Sequence, residues 1–145
     1  MEKIRVLFVC THNSARSQMA ETFLNAYGSG RFEAESAGLE PREINPLVIE
    51  VMNDLGFDLS RKQSSRVLDF FKEGRLYHHV VFVCDKSTEK QCPIFPGLGK
   101  RHSWPFQDPA KLEGTHEEKL EQTRKIRDEI RVKVERWIEE ITGSA

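Results

Sequence analysis

The strongest constraint on this chain lies near its start. Ile4 to Cys10 (Ile-Arg-Val-Leu-Phe-Val-Cys) is a short run of strand length, rich in Val and Ile, as a buried parallel strand should be. It ends on a cysteine. Five residues follow, Thr11-His12-Asn13-Ser14-Ala15, and then Arg16 and Ser17 open a helical pattern. From Ser17 to Tyr27 the residues Ala20, Phe23, Leu24 and Tyr27 fall on one helical face. Strand followed at once by helix points to an α/β fold.

The rest of the chain keeps that alternation. Gly28-Ser29-Gly30 ends the first helix, and Phe32 to Ala37 reads as a second strand. Asn45-Pro46 combines a capping side chain with a proline at the first helical position, so a second helix should run to about Leu55, with Gly56 just past its end. His79 to Cys84 reads as a third strand. Asp85 to about Leu112 is rich in proline and reads as loop, with one short strand near Arg101 to Trp104. Thr115 with Glu118 predicts a capping box. Beyond it Ile126, Ile130, Val134, Trp137, Ile138 and Ile141 keep helical spacing opposite a charged face. The sum is one domain over residues 1–145, a three-layer α/β/α arrangement around a small parallel sheet.

Bulk properties exclude several functions. Hydrophobic residues make up 38% of the chain and charged residues 31%, which excludes a disordered tail. No apolar stretch is long enough to span a bilayer, and the N-terminal run is too short for a signal peptide. A cytoplasmic location is the default expectation. The 22 basic and 23 acidic residues leave a net charge of −1, which supplies no pull toward nucleic acid or an anionic membrane. Three cysteines, an odd number in such a chain, argue for reactive or simply buried thiols rather than a structural disulfide framework. The five histidines show no zinc-ligand spacing, so no metal is expected.

The segment Cys10 to Ser17 suits a tetrahedral oxyanion. A loop between strand and helix can curl its N–H groups inward, and the helix N-terminus adds its positive end. Arg16 can grip two oxygens with its planar fork. Cys10 would sit below as nucleophile, with the same donors favouring its thiolate. Ser17 could donate to that thiolate, and Asn13 tolerates the positive φ that such a loop demands. The plain alternative is a buried cysteine at a strand end, but the Arg-Ser pair at the helix start argues against it.

Val6 to Glu21 resembles the active-site loop shared by low-molecular-weight tyrosine phosphatases and thioredoxin-coupled arsenate reductases. The phosphatases usually carry proline after Arg-Ser; here Gln18-Met19-Ala20-Glu21 follows, as in the reductases. The resemblance continues through Ser36-Ala37-Gly38, Asn45-Pro46, the strand ending in Cys84, and Trp104 to Pro109. It implies a four-stranded parallel sheet with strands one and three adjacent. Cys10 and Cys84 would then stand at the carboxyl ends of neighbouring strands, about 4.8 Å apart, where α/β sheets place their ligands. That makes a Cys10–Cys84 disulfide reasonable.

The resemblance further implies a thiol cascade. Cys10 attacks arsenate, Cys84 attacks Cys10 as arsenite leaves, Cys92 attacks Cys84, and thioredoxin reduces the last disulfide. Seven residues separate Cys84 from Cys92, where the close reductases usually have six. Asp108, in Trp104-Pro105-Phe106-Gln107-Asp108-Pro109, matches the family's general acid. The loop residues Thr11, His12, Asn13, Ser14, Ala15, Arg16 and Ser17 match its oxyanion site, with His12 where glycine is common. Ala110-Lys111 stands where the phosphatases often carry tyrosines. Some of the reductases hold potassium with residues matching Asn13, Glu21, Ser36 and an Asp near position 65; Ser65 stands at that place here. The implied enzyme binds no resident cofactor, takes electrons from thioredoxin (with mycothiol or glutaredoxin as other donors), and works as a monomer. Two further readings stay open: phosphomonoester hydrolysis through a Cys10 phosphocysteine, and a non-catalytic redox sensor or phosphocarrier.

Overall fold

The computed structural model describes residues 3–84 and 99–143. Its elements run β1 (Ile4–Cys10), α1 (Arg16–Tyr27), β2 (Phe32–Gly38), α2 (Pro46–Asn53), α3 (Val67–Lys72), β3 (His79–Phe82), β4 (Lys100–Ser103), a 3-10 turn at Pro109–Lys111, and α4 (His116–Thr142). The four strands form one sheet in the order β2-β1-β3-β4, and every pairing is parallel.

β1 lies between β2 and β3, and its apolar run is used on both faces. Val6, Phe8 and Cys10 pack on one side with Met19, Ala20, Phe23 and Leu24 of α1, Val48, Val51 and Met52 of α2, and Ile126, Ile130, Val134 and Trp137 of α4. Leu7 and Val9 pack on the other with Ala37, Val67, Phe70, Tyr77, Val80 and Phe82. Phe8, Phe23 and Phe82 are fully buried, each contributing roughly 2–3 kcal/mol of apolar burial. Helices thus cover both faces, as a parallel sheet requires.

The helix ends follow their capping chemistry. Asn45 Oδ1 accepts from Leu47 N at 2.9 Å with Pro46 at the first helical position. Thr115 and Glu118 form a reciprocal capping box at the start of α4. Arg127, buried on α4, donates to Val51 O at 2.7 Å and ties α4 to α2.

Two expectations need correction. β3 ends at Phe82 rather than Cys84. Strict alternation would send Val83 and Cys84 to opposite faces. Because the strand has already stopped, both residues join the α1–α4 side of the core. The helix α3 was not foreseen: its six residues have no side-chain cap, and so short an apolar run carries no clear period. Among the described residues no helix is long and apolar enough to cross a membrane.

Candidate active site

The loop between β1 and α1 takes its shape from where its carbonyls go. Cys10 O accepts from Leu39 N at 3.3 Å, Thr11 O from Glu40 N at 2.8 Å, His12 O from Arg42 N at 3.0 Å, and Ser14 O from Asn45 N at 2.8 Å. Asn13 O accepts from Ser64 Oγ at 3.0 Å and Gln18 Nε2 at 3.2 Å. Successive carbonyls are therefore held outward against neighbouring segments. A trans peptide turns its N–H opposite to its carbonyl, so the amides of residues 11–15 face the centre of the loop. That is a nest for an anion, with the N-terminus of α1 adding its partial positive charge.

Gly38, at the end of β2, lets the loop lie this close. A Cβ there would stand 2.8 Å from Asn13 N and His12 C and 2.9 Å from Thr11 O. Asn13 has φ of 53°, the left-handed conformation that asparagine tolerates.

Cys10 is buried at the centre of the nest. Its Sγ accepts from Asn13 N at 3.2 Å and stands 3.2 Å from Ser17 Oγ. Asn13 orients the serine in that second contact, in which either atom can donate. Asn13 Oδ1 accepts from the backbone N–H of Ser65 at 2.8 Å, which leaves Nδ2 to donate to Ser17 Oγ at 2.7 Å. Ser17 Oγ thus already accepts one hydrogen bond, and toward a Cys10 thiolate, which can only accept, its hydroxyl would be the donor. The Asn13 N–H and the Ser17 hydroxyl therefore both face this one sulfur.

Arg16 is 6% exposed. Its Nη1 donates to Phe106 O at 3.0 Å, and its Nη2 lies 3.5 Å from Asp108 Oδ2. Its Nε is buried without a partner among the described residues. A buried donor left unpaired costs free energy, and here it offers a hydrogen bond to an oxyanion oxygen. Asp108 reaches the loop because its Oδ1 accepts from Ala110 N at 2.9 Å and caps the 3-10 turn, leaving Oδ2 toward Arg16.

Cys84 is buried in the same apolar cluster as Cys10. Val83 N donates to Val9 O at 3.1 Å, which sets Val83 and Cys84 beside the end of β1. Cys10 and Cys84 are not joined in a disulfide, and Cys84 Sγ donates toward Val9 O at 3.8 Å. Cys92 lies outside the described residues. The structure thus gathers Cys10, Arg16, Ser17, Asn13, Asp108 and Cys84 at the carboxyl ends of adjacent strands. His12 bonds the Glu40 carbonyl at 3.0 Å through its ring, so it braces the outer segment.

Several supporting residues were not legible as such. Gln18, 1% exposed, ties Asn13 to Gln63 O. Ser64 and Ser65 hold Asn13 from a segment some fifty positions away in sequence, and no local pattern reports such a contact. Lys62 pairs with Glu21, whose other oxygen accepts from Ser36 Oγ at 2.7 Å. Among the described residues no group of three or more His, Cys, Asp or Glu is placed to hold a metal.

Residues 5–144 match the low molecular weight phosphotyrosine protein phosphatase family. The chain belongs to that family. Within it, the chain is similar to an arsenate reductase of Shouchella clausii (strain KSM-K16), at 39% identity over 96% of this chain and 98% of the relative. A solved arsenate reductase in the phosphate-binding state is 30% identical, with a TM-score of 0.73 over 95% of this chain and 98% of that one. A thioredoxin-dependent arsenate reductase of Corynebacterium glutamicum is 27% identical, with a TM-score of 0.63 over 92% of this chain and 62% of that one. Members sharing the phosphatase fold therefore include reductases, so the fold alone does not choose between hydrolysis and reduction.

Proposed function

We propose that this chain reduces arsenate to arsenite through a relay of its three thiols, recycled by a thioredoxin-type dithiol protein. The observation that carries the reading is the second buried thiol: Cys84 shares an apolar cluster with Cys10, beside the end of the neighbouring strand. A phosphatase needs one thiol. The full-length similarity to reductases supports the same choice.

The amides of residues 11–15 and the Arg16 guanidinium bind the oxyanion. Cys10 thiolate attacks arsenic, and a sulfur–arsenic bond replaces one arsenic–oxygen bond. Asp108, in its acid form, protonates the departing oxygen. The Cys84 thiolate then attacks Cys10 Sγ. A sulfur–sulfur bond forms, the sulfur–arsenic bond breaks, and its electron pair stays on arsenic, which leaves as arsenite. Cys92 attacks Cys84 and frees the Cys10 thiolate. The external dithiol reduces the Cys84–Cys92 disulfide by exchange, so two thiol electrons balance one reduction of arsenic.

Ala110 and Lys111, which follow the candidate acid where the phosphatases often carry tyrosines, support a small oxyanion over an aryl ester.

Arsenite release from arsenate, thioredoxin, thioredoxin reductase and NADPH is the test. Wild type should turn over, while Cys84→Ser and Cys92→Ser should not. A wild type that makes no arsenite yet hydrolyses an aryl phosphate in a Cys10-dependent, Cys84-independent way would be a phosphatase.

A further inference from the structure

Glu21 is a half-hidden carboxylate beside the segment that braces the anion loop. It lies on α1 four residues after Ser17, so the two share a helix face. Its side chain is 12% exposed. One oxygen accepts from Ser36 Oγ and the other meets the Lys62 ammonium. The potassium site suggested by the family resemblance does not fit these residues. Lys62 already places a cation on Glu21. At position 65 there is a serine whose backbone N–H donates to Asn13 Oδ1, so the side chain of Asn13 is committed to that bond, to Gln18 and to Ser17.

We infer that Lys62 is a positioning residue for Cys10, an internal ammonium that takes the place of an external cation behind the oxyanion loop. The inference rests on the reading of Cys10 as the reacting thiol.

Two physical effects meet in Lys62. The first is mechanical. Lys62 begins the segment 62–65, and each residue of it touches α1 or the loop. Gln63 O accepts from Gln18 Nε2 at 3.4 Å, Ser64 Oγ donates to Asn13 O at 3.0 Å, and Ser65 N donates to Asn13 Oδ1 at 2.8 Å. Ser65 O in turn accepts from Gly38 N at 2.8 Å. The Lys62–Glu21 pair pins the start of this segment to α1. Asn13, held at its other end, aims Ser17 at Cys10.

The second effect is electrostatic. Without Lys62, Glu21 would be a poorly solvated negative charge near a loop built to hold a thiolate and an oxyanion. Removing one partner of a partly buried pair leaves the other uncompensated. The uncompensated charge would oppose both anions in front of it.

The test reads Cys10 directly. In a Cys84→Ser/Cys92→Ser background only Cys10 reacts with iodoacetamide, and no arsenate turnover is needed. Lys62→Met should slow alkylation at neutral pH by about tenfold, with Lys62→Arg restoring most of the rate. Adding Glu21→Gln to Lys62→Met should also recover it, because the stranded charge is then gone. Replacing choline chloride by potassium chloride should leave the parent protein unchanged and should accelerate Lys62→Met. Circular dichroism and Tm confirm that the variants are folded. Equal alkylation rates in the parent and Lys62→Met, or potassium stimulation of the parent, would overturn the inference. Failure of arsenate reduction with the Lys62→Met effect intact would instead sink the proposed function and leave the positioning role standing.

Discussion

Ser17 Oγ stands 3.2 Å from Cys10 Sγ while accepting Asn13 Nδ2 at 2.7 Å. The serine therefore acts as a relay: the fixed amide of Asn13 orders the hydroxyl, and the hydroxyl faces the sulfur. Ser17→Ala removes a donor from a buried thiolate without altering the backbone nest. Cys10 alkylation at neutral pH should slow by about ten- to a hundredfold, the range for a charge-assisted hydrogen bond. Phosphate binding should change by much less, since the loop amides and Arg16 remain. Unchanged alkylation would show that the hydroxyl plays no part in stabilising the thiolate.

Gly38→Ala tests the packing of the loop on β2. The added Cβ meets backbone atoms of Thr11, His12 and Asn13 at 2.8–2.9 Å, and backbone cannot swing aside as a side-chain end can. We expect a stability loss of about 1–3 kcal/mol in denaturant unfolding. Phosphate affinity should fall by more than that loss alone would suggest, because the amides must move off their common centre. Normal affinity in a destabilised protein would mean the loop relaxes without opening.

Asp108 has two separable roles. Its Oδ1 caps the 3-10 turn and its Oδ2 faces Arg16. Asp108→Asn keeps an oxygen for Ala110 N but cannot supply the proton. Its kcat for arsenite release should fall by about a hundredfold or more, with oxyanion binding retained. Asp108→Ala should lose the cap as well and show a lower Tm than the Asn variant. Equal kcat in wild type and Asp108→Asn would remove Asp108 from the chemistry.

Acid should loosen the contact between the sheet edge and α4. His79 Nδ1 lies 2.9 Å from His102 Nε2, and Trp137 of α4 packs edge-on against both rings. Burial first, then the charges of His102, His78 and Lys100, push His79 down to about 4. Burial, then Lys100 and Lys133, lower His102. A histidine depressed in the folded state binds its proton more readily when unfolded. Stability is therefore full above the ordinary value of about 6.5 and declines as pH falls from there toward 4. With screening at this half-buried site the loss should be on the order of 1–2 kcal/mol. A Tm series across that window should show the slope in wild type and a shallower one in His79→Leu. A slope that survives the substitution would place the acid sensitivity elsewhere.

Much of the fold was legible because its signals are local. The Ile4–Cys10 strand, the Asn45-Pro46 start and the Thr115–Glu118 box each involve neighbours in sequence, and each is found in place. The early end of β3 was not, because Val83 and Cys84 carry strand-like side chains, and although Val83 N still donates to Val9 O the paired register stops at Phe82. The six residues of α3 likewise hold a helix because Val67 and Phe70 cover the second face of the sheet. Among site residues, Cys10 and Arg16 announce themselves by their spacing. Lys62, Ser64 and Ser65 do not, since what gives them meaning is contact with α1 and the loop.

The sequence by itself determined the alternation of strand and helix, the cysteine loop and the candidate acid, because hydrophobic period, capping chemistry and short motifs are written in neighbouring residues. Tertiary structure alone decided that the loop carbonyls point outward, that Ser17 faces the sulfur, that Cys84 shares the core of Cys10, and that Lys62 meets Glu21. The physical reason is common to all four. Each is a contact between segments far apart in the chain, and its direction is set by where the other groups have already spent their hydrogen bonds.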